Sequence, residues 1–421
     1  MRRKFTTGFI GLVLLSAVSC SQPVEPIGVP LPAPSSPTAT TPPATTLPAT
    51  TLPATTPPAI TPPTTTPPAT TPPTTTVPKE VVVETFASGL EIPWGIAFAP
   101  DGRAFITERR GRIRVFQDGQ LQAEPWITLE VAAVGEGGLL GLALDPAFTE
   151  NRYVYVAYTY RSPGGDLKNR LVRLREDTAT GKGVIDKVLL DNVDADSIHD
   201  GGRVKFGPDG KLYWTMGDAG KPQSAQELSS PNGKILRLNP DGSIPDDNPF
   251  AGSPVYSYGH RNPQGLAWQP GTGRLYATEH GPSGGSSGAG QDEVNYIEPG
   301  NNYGWPVIRG TGTRDGMVSP LIQSGTTETW APSGAAFVDG GAWDGSMLFT
   351  GLRGENLYRL VISKIDPHKV TSIERLYRGQ FGRLRDVIQG PDGNLYILTN
   401  NRDGRGSPQP GDDRILRLVL K

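Results

Sequence analysis

The chain is poor in the residues that usually announce a redox or metal centre. Among 421 residues there is one cysteine, Cys20, and four histidines, with no CxxC, CxxCH, HxH or HxxxH spacing. Those absences exclude a disulfide framework, a covalently attached haem and a closed zinc site. Charge of one sign is also missing: 40 Lys and Arg stand against 42 Asp and Glu, a formal net charge of −2, which argues against a nucleic-acid partner. Runs at helical period are scarce, so an α-rich fold is not expected. The apolar run Gly8–Ser19 falls short of the roughly 20 residues that span a bilayer.

That run follows Met1-Arg2-Arg3-Lys4 and leads through "AVSC" to Cys20, the layout of a signal peptide. A lone cysteine at such a junction resembles a bacterial lipobox, whose thiol is acylated; an ordinary cleavage site fits as well, since Ala17 stands where leucine is usual. "RRKF" has some likeness to a twin-arginine signal, which leaves the export route open. Residues 21–78 are loose Pro/Thr/Ala repeats holding 19 of the 42 prolines, without charge between Glu25 and Lys79. Too few large apolar groups are present to offset the entropy of ordering, so the segment is expected to be an extended tether reaching on the order of 180 Å. The expectation is an exported protein of the cell envelope or periplasm, touching the membrane only through a lipid on Cys20.

The remaining 79–421 is one domain with a repeated grammar. "PWGIAFAPDGRAFITERRGRIRVF", "GGRVKFGPDGKLYWTMGD" with "NGKILRLNPDG", "PQGLAWQPGTGRLYATEHG" and "LRDVIQGPDGNLYILTNN" with "RILRL" each place a β-run before a Pro-Asp-Gly type turn, then a Leu-Tyr strand, then a third strand. Two looser copies, "GGLLGLALDPAFTENRYVYVAYTY" and "SGAAFVDGGAWDGSMLFTGLRGENLYRL", bring the count to six. Six such units predict an all-β fold, a six-bladed β-propeller of four-stranded antiparallel sheets, closed by a strand near Val81–Thr85 pairing with the last blade. A β-sandwich has the same strand content but no reason for the recurring turn.

In a propeller the loops entering each innermost strand converge on the central channel. The residues so gathered are Glu136, His199, Arg261, Asn262, Arg383 and Arg385, with Arg353 at the end of a blade 5 strand. One arginine alone is as readily a solvated surface charge; recurrence at equivalent places predicts a planar polyanion, because guanidinium forks pair carboxylates and stack on π-faces. His260 and His280 lie near the same rim and read as structural. The loop "EHGPSGGSSGAGQDEVN" offers turned carbonyls with Asp292 and Glu293, oxygen ligands of the kind calcium takes, although a plain surface loop fits the same letters.

"HDGGRVKFGPDG", "YGHRNPQGLAW", "EHGP" followed by "DEVN", "NNYGWP", "APSGAAF" and "GRLRDVIQGPDGNLYILT" together resemble the soluble pyrroloquinoline quinone-dependent aldose sugar dehydrogenases, the glucose/sorbosone dehydrogenase family. The resemblance implies a six-bladed propeller with the quinone over its channel and oxidation of an aldose at its anomeric hydroxyl. It assigns His199 as general base and Asp218 as the carboxylate that orients it. Arg261, Asn262, Arg383 and Arg385 match cofactor contacts, Arg353 falls where the glucose-oxidising branch has lysine, and Arg314 is a further candidate. Glu136 replaces a glutamine of that branch, and its charge beside an anionic quinone leaves two readings: a protonated carboxyl, or one that faces the sugar. The Gly281 and Pro282 carbonyls would hold the calcium at the quinone, with Glu293 and Tyr303 at a second calcium, although "SGGSSGAG" is inserted between these pairs.

Two other functions suit the scaffold. A binding propeller without chemistry is opposed by the intact His199, Asp218 and arginine set. A lactonase or esterase using calcium-activated water wants carboxylates and asparagines around a channel metal, where this chain has arginines. Which aldose is preferred, which external acceptor takes the electrons and whether the head forms a homodimer are not written in these letters.

Overall fold

The computed structural model describes residues 81–282 and 290–420. The leader, Cys20 and the Pro/Thr/Ala segment lie outside the described residues, as does 283–289, which contains nearly all of the inserted loop. Among the described residues no helix is long and apolar enough to cross a membrane.

Six antiparallel sheets follow one another along the chain, each with a four-strand path. Their first strands are Pro93–Phe98, Leu139–Leu144, Val204–Phe206, Pro263–Trp268, Pro332–Phe337 and Leu384–Gln389, which open blades 1 to 6. Blade 6 packs back against blade 1, Leu384–Gln389 lying by Pro93–Phe98, so the ring closes as a six-bladed propeller. Val81–Ala87 supplies the outer strand of the last blade, with Val81 opposite Leu420 and Thr85 opposite Leu416. This is the closure expected from the sequence.

The Leu-Tyr strands build the core because side chains alternate across a sheet. In blade 3, Leu212 and Trp214 enter a cluster with Tyr155 and Leu171 of blade 2. Tyr213, between them, enters the next cluster with Leu266 and Leu275 of blade 4. Six clusters of this kind hold the blades together. The turns behave as read: Gly210 in "GPDGK" has φ of 70° and Gly393 in "GPDGN" 77°, a region that glycine enters without a steric penalty.

A second repeat runs through the blades. Each blade has a fully buried threonine on its second strand: Thr107, Thr159, Thr215, Thr278, Thr350 and Thr399. Two of them reach the next blade, Thr107 Oγ1 donating to the Leu140 carbonyl at 2.6 Å and Thr278 Oγ1 to that of Ser333 at 2.6 Å.

The innermost strands are irregular in a way that shapes the channel. In five of the six the pairing slips, between Pro93 and Gly95, Leu139 and Leu142, Pro263 and Gly265, Pro332 and Ala335, and Leu384 and Asp386. A bulge re-aims the side chains it frees. Here Trp94, Gln264, Ser333 and Arg385 lie in the skipped positions and meet: Arg385 Nη1 donates to Gln264 Oε1 at 2.8 Å, as does Ser333 Oγ at 3.2 Å. Arg203 of blade 3 lies 4.3 Å from the Trp94 ring centroid and pairs with Asp386 at 2.7 Å. This packed polar layer forms the floor below the converging loops.

Candidate active site

His199 closes the loop that enters blade 3, and its backbone takes a φ of 59°. That left-handed conformation costs a non-glycine residue on the order of 1 kcal/mol and persists because neighbours hold it. Its carbonyl accepts from Ala219 N at 3.2 Å, packed so closely on Gly217 that a β-carbon there would collide with it. Nδ1 lies 2.7 Å from Asp218 Oδ1. Asp218 is fully buried, accepting the Gly220 N–H on the same oxygen at 2.9 Å and the Trp305 indole N–H on Oδ2 at 2.8 Å. A carboxylate so held takes the Nδ1 proton, which leaves the Nε2 lone pair as the basic position. Nε2 has no hydrogen bond among the described residues, and the side chain retains 12% exposure. Trp305 was quoted within "NNYGWP" but had no role from sequence; nothing in a linear reading shows that its N–H reaches a blade 3 carboxylate.

Two carboxyls flank His199 and are shifted in opposite directions. Glu136 is desolvated, which alone would raise its pKa, but His280, a hydrogen bond and charge from Arg405, and the His199 N–H bring it down to about 2. Burial pushes the His280 imidazole itself down to about 4, so at neutral pH Arg405 is the charged partner. The low value and the protein donors on both oxygens favour the ionised form of Glu136. Its oxygens are taken up by protein donors: Oε2 by His199 N at 3.0 Å and Asn262 Nδ2 at 3.4 Å, Oε1 by Arg405 Nη1 at 2.9 Å. Asp200, next to the base, is pushed up to about 8 by burial, with the charge of Glu136 contributing. Its Oδ1 accepts from Asn169 and Oδ2 is buried without a partner among the described residues.

The arginines gather, but not all alike. Arg261 is buried, donates to the His280 carbonyl at 3.2 Å and lies 5.4 Å from the Trp305 ring centroid; its backbone N–H is bound by Glu279. Arg385 is held down to about 9 by burial, with Arg383 and Arg109 also repelling its charge. Arg383 is buried against Asp403 at 2.8 Å. Arg109, which the sequence did not single out, is likewise lowered by burial. The Nε atoms of Arg109 and Arg385 and Nε2 of His280 are sealed from solvent and have no partner among the described residues. Crowded guanidinium groups with spare N–H donors suit a ligand carrying several anionic groups. Arg314 and Arg353 are exposed and make no side-chain hydrogen bond among the described residues.

The residues expected to hold calcium form a carbonyl-rich corner. A β-carbon on Gly281 would collide with the Gly290 and Gln291 carbonyls, so backbone oxygens converge there, while Pro282 O accepts from Gly290 N at 3.2 Å. Asp292 is occupied structurally, accepting from Gly281 N at 2.9 Å and Ala331 N at 3.0 Å. Glu293 stands opposite Glu279 in register, with Asn295 Nδ2 bridging them at 3.2 and 3.4 Å. Burial, with the charge of Glu279, pushes Glu293 up to about 8. Asn295 Oδ1 and Gln291 Oε1 are buried without partners among the described residues. Buried carboxyls, carbonyls and orphan amide oxygens suit a hard cation. Tyr303 stacks on His260 at 4.8 Å and donates its hydroxyl to Tyr296 O at 2.7 Å.

Comparison with known proteins gives the family. The family described as "Glucose / Sorbosone dehydrogenase" matches residues 90–417. The aldose sugar dehydrogenase YliI of Escherichia coli is 33% identical over 77% of this chain and 91% of its own length. Quinoprotein glucose dehydrogenase B of Acinetobacter calcoaceticus is 31% identical over 79% of this chain and 87% of its own. Among solved structures, the PQQ-bound form of an aldose sugar dehydrogenase from Streptomyces coelicolor superposes with a TM-score of 0.71 at 38% identity, covering 82% of this chain and 99% of that one. These matches establish the chain as an oxidoreductase belonging to the glucose/sorbosone dehydrogenase family.

Proposed function

We propose that the protein oxidises the anomeric hydroxyl of an aldose sugar to the lactone, with His199 as general base. The observation that carries this is the imidazole whose Nδ1 is fixed by Asp218 while Nε2 stays open at the mouth, beside guanidinium groups with unused donors. When bound, pyrroloquinoline quinone supplies a hydride acceptor, and calcium beside it a Lewis acid. Arg261, Asn262 and Arg385 would hold the quinone, with Arg383, Arg353 and Arg314 as the further positions that the resemblance points to. Gly281 and Pro282 would offer carbonyls to the calcium at the quinone, and Glu293 and Tyr303 would serve a second one.

In this reading His199 Nε2 takes the hydroxyl proton as the anomeric carbon gives up its hydride. Asp218 holds the imidazole in the accepting tautomer and stabilises the imidazolium that forms. The burial of Asp218 matters because solvent cannot compete for its hydrogen bonds. The leader and tether would place this head outside the cytoplasm, lipid-anchored through Cys20, where an external acceptor collects the electrons. Loss of radiolabelled palmitate in Cys20→Ala checks the anchor.

The test is dye reduction by purified protein with glucose and a panel of aldoses, with and without quinone and calcium. Reduction only when both are supplied is expected. Quinone that neither binds nor supports sugar oxidation overturns the proposal.

A further inference from the structure

We infer that Glu136 and Arg405 form a clasp that positions His199, so that Glu136 is a positioning residue for the base rather than a group spent on the sugar. The clasp is two-way. Glu136 N–H donates to the Ser197 carbonyl at 2.9 Å, and His199 N–H returns to Glu136 Oε2 at 3.0 Å. These two bonds enclose residues 197–199 and secure the left-handed backbone of His199, the conformation that aims its ring. Asn262, from the loop entering blade 4, joins the same carboxylate oxygen at 3.4 Å and carries its own Oδ1 to the Gly201 N–H at 3.0 Å, bracing the loop beyond the base.

The other carboxylate oxygen faces the opposite way. Arg405 comes from the loop after the second strand of blade 6, 269 residues along the chain, and binds Oε1 at 2.9 Å. That loop is itself tied down: Asp403, two residues earlier, pairs with Arg383 at 2.8 Å and accepts from Asn400 at 2.7 Å. The base is thus oriented twice: Asp218 sets the ring through Nδ1, and Glu136, anchored across the mouth by blade 6, sets the backbone that carries it. A base displaced by about 1 Å loses on the order of 10²-fold in rate, which makes the clasp a determinant of turnover. Arg405 supplies the charge that matches the Glu136 carboxylate.

This inference rests on the reading of His199 as base, and the experiment separates the two. In the quinone- and calcium-loaded enzyme, Glu136→Ala is expected to lose on the order of 10²-fold in kcat and Arg405→Ala about 10-fold, with sugar KM and quinone Kd moved less than about twofold. The double variant Glu136→Gln/Arg405→Ala removes both charges and keeps an acceptor for the His199 N–H; it should recover most of what Arg405→Ala loses. In the quinone-free protein, the downfield Nδ1–H resonances of His199 and His260, both bound to carboxylates, offer a readout independent of turnover. Glu136→Ala should shift or broaden the first and leave the second. Loss confined to KM or quinone Kd, or wild-type kcat in both single variants, overturns the clasp. Wild-type kcat in His199→Ala overturns the base reading instead.

Discussion

Blades 3 and 4 begin with the same device and put it to different uses. His199 bonds Asp218 through Nδ1 at 2.7 Å, and His260 bonds Glu279 through Nδ1 at 2.8 Å; each carboxylate lies 19 residues after its histidine. The difference is at the other nitrogen. His260 Nε2 is bonded to Ser257 Oγ at 2.9 Å, its ring is stacked on Tyr303 and it is fully buried, whereas His199 Nε2 faces the mouth. A histidine–carboxylate pair is therefore not a catalytic signature in itself. It becomes one where the second nitrogen is left unpaired beside space for a substrate, and it is a brace where a hydroxyl occupies that nitrogen.

The sharpest way to break the comparison is to delete each histidine. His199→Ala is expected to lower kcat by about 10³- to 10⁴-fold, with quinone affinity nearly unchanged by absorbance titration. His260→Ala should fold and turn over but lose about 2 kcal/mol of stability in denaturant melts, since it removes one of the hydrogen bonds to the buried Glu279 carboxylate. Comparable kcat losses in both would show the two devices to be equivalent. Next in size, Asp218→Asn should lower kcat by about 10²-fold through loss of the orienting acceptor, while Arg385→Ala should weaken quinone binding by roughly 10- to 100-fold, the range of a charge-assisted hydrogen bond. Ser257→Ala, which unpairs His260 Nε2, should cost about 1 kcal/mol of stability and leave kcat within twofold.

The smallest effect sharpens the comparison on the blade 3 side, where Asp200 lies beside the base. Its folded pKa is raised, so the native state holds a proton that the unfolded chain has released, and stability falls as pH rises from about 4 to about 8. Asp200→Asn should flatten that decline, raising Tm by about 2 °C at the upper end of the window relative to the lower. Glu136 works in the other direction: its stabilisation is present above about 4.5 and is lost as pH falls toward about 2. A wild-type Tm that does not fall between pH 5 and 8 would remove the buried-acid account of Asp200.

Much of this was legible along the chain because it repeats. The Pro-Asp-Gly turns and Leu-Tyr strands are local signals and reappear as blades with the expected closure by Val81–Ala87. His199 could be singled out because the loops leading into innermost strands converge in any propeller, whereas Asp218, which follows the second strand of blade 3, was named only by the family resemblance. Trp305 and Arg405 could not be named, because their partners lie on other blades. The threonines of the second strands were readable as a column of the repeat, but their bonds to the following blade were not.

Local periodicity and turn chemistry, then, determined the six blades, and the placement of unusual residues before inner strands determined which loops carry the chemistry. Tertiary structure decided which polar groups were left free. Arg383 is paired with Asp403, Glu136 with Arg405 and His260 with Ser257, while Arg385, His280 and His199 keep unused donors or acceptors. Hydrogen-bond capacity is a property of the assembled neighbourhood: Glu136 meets Arg405, 269 residues away, only when the ring closes.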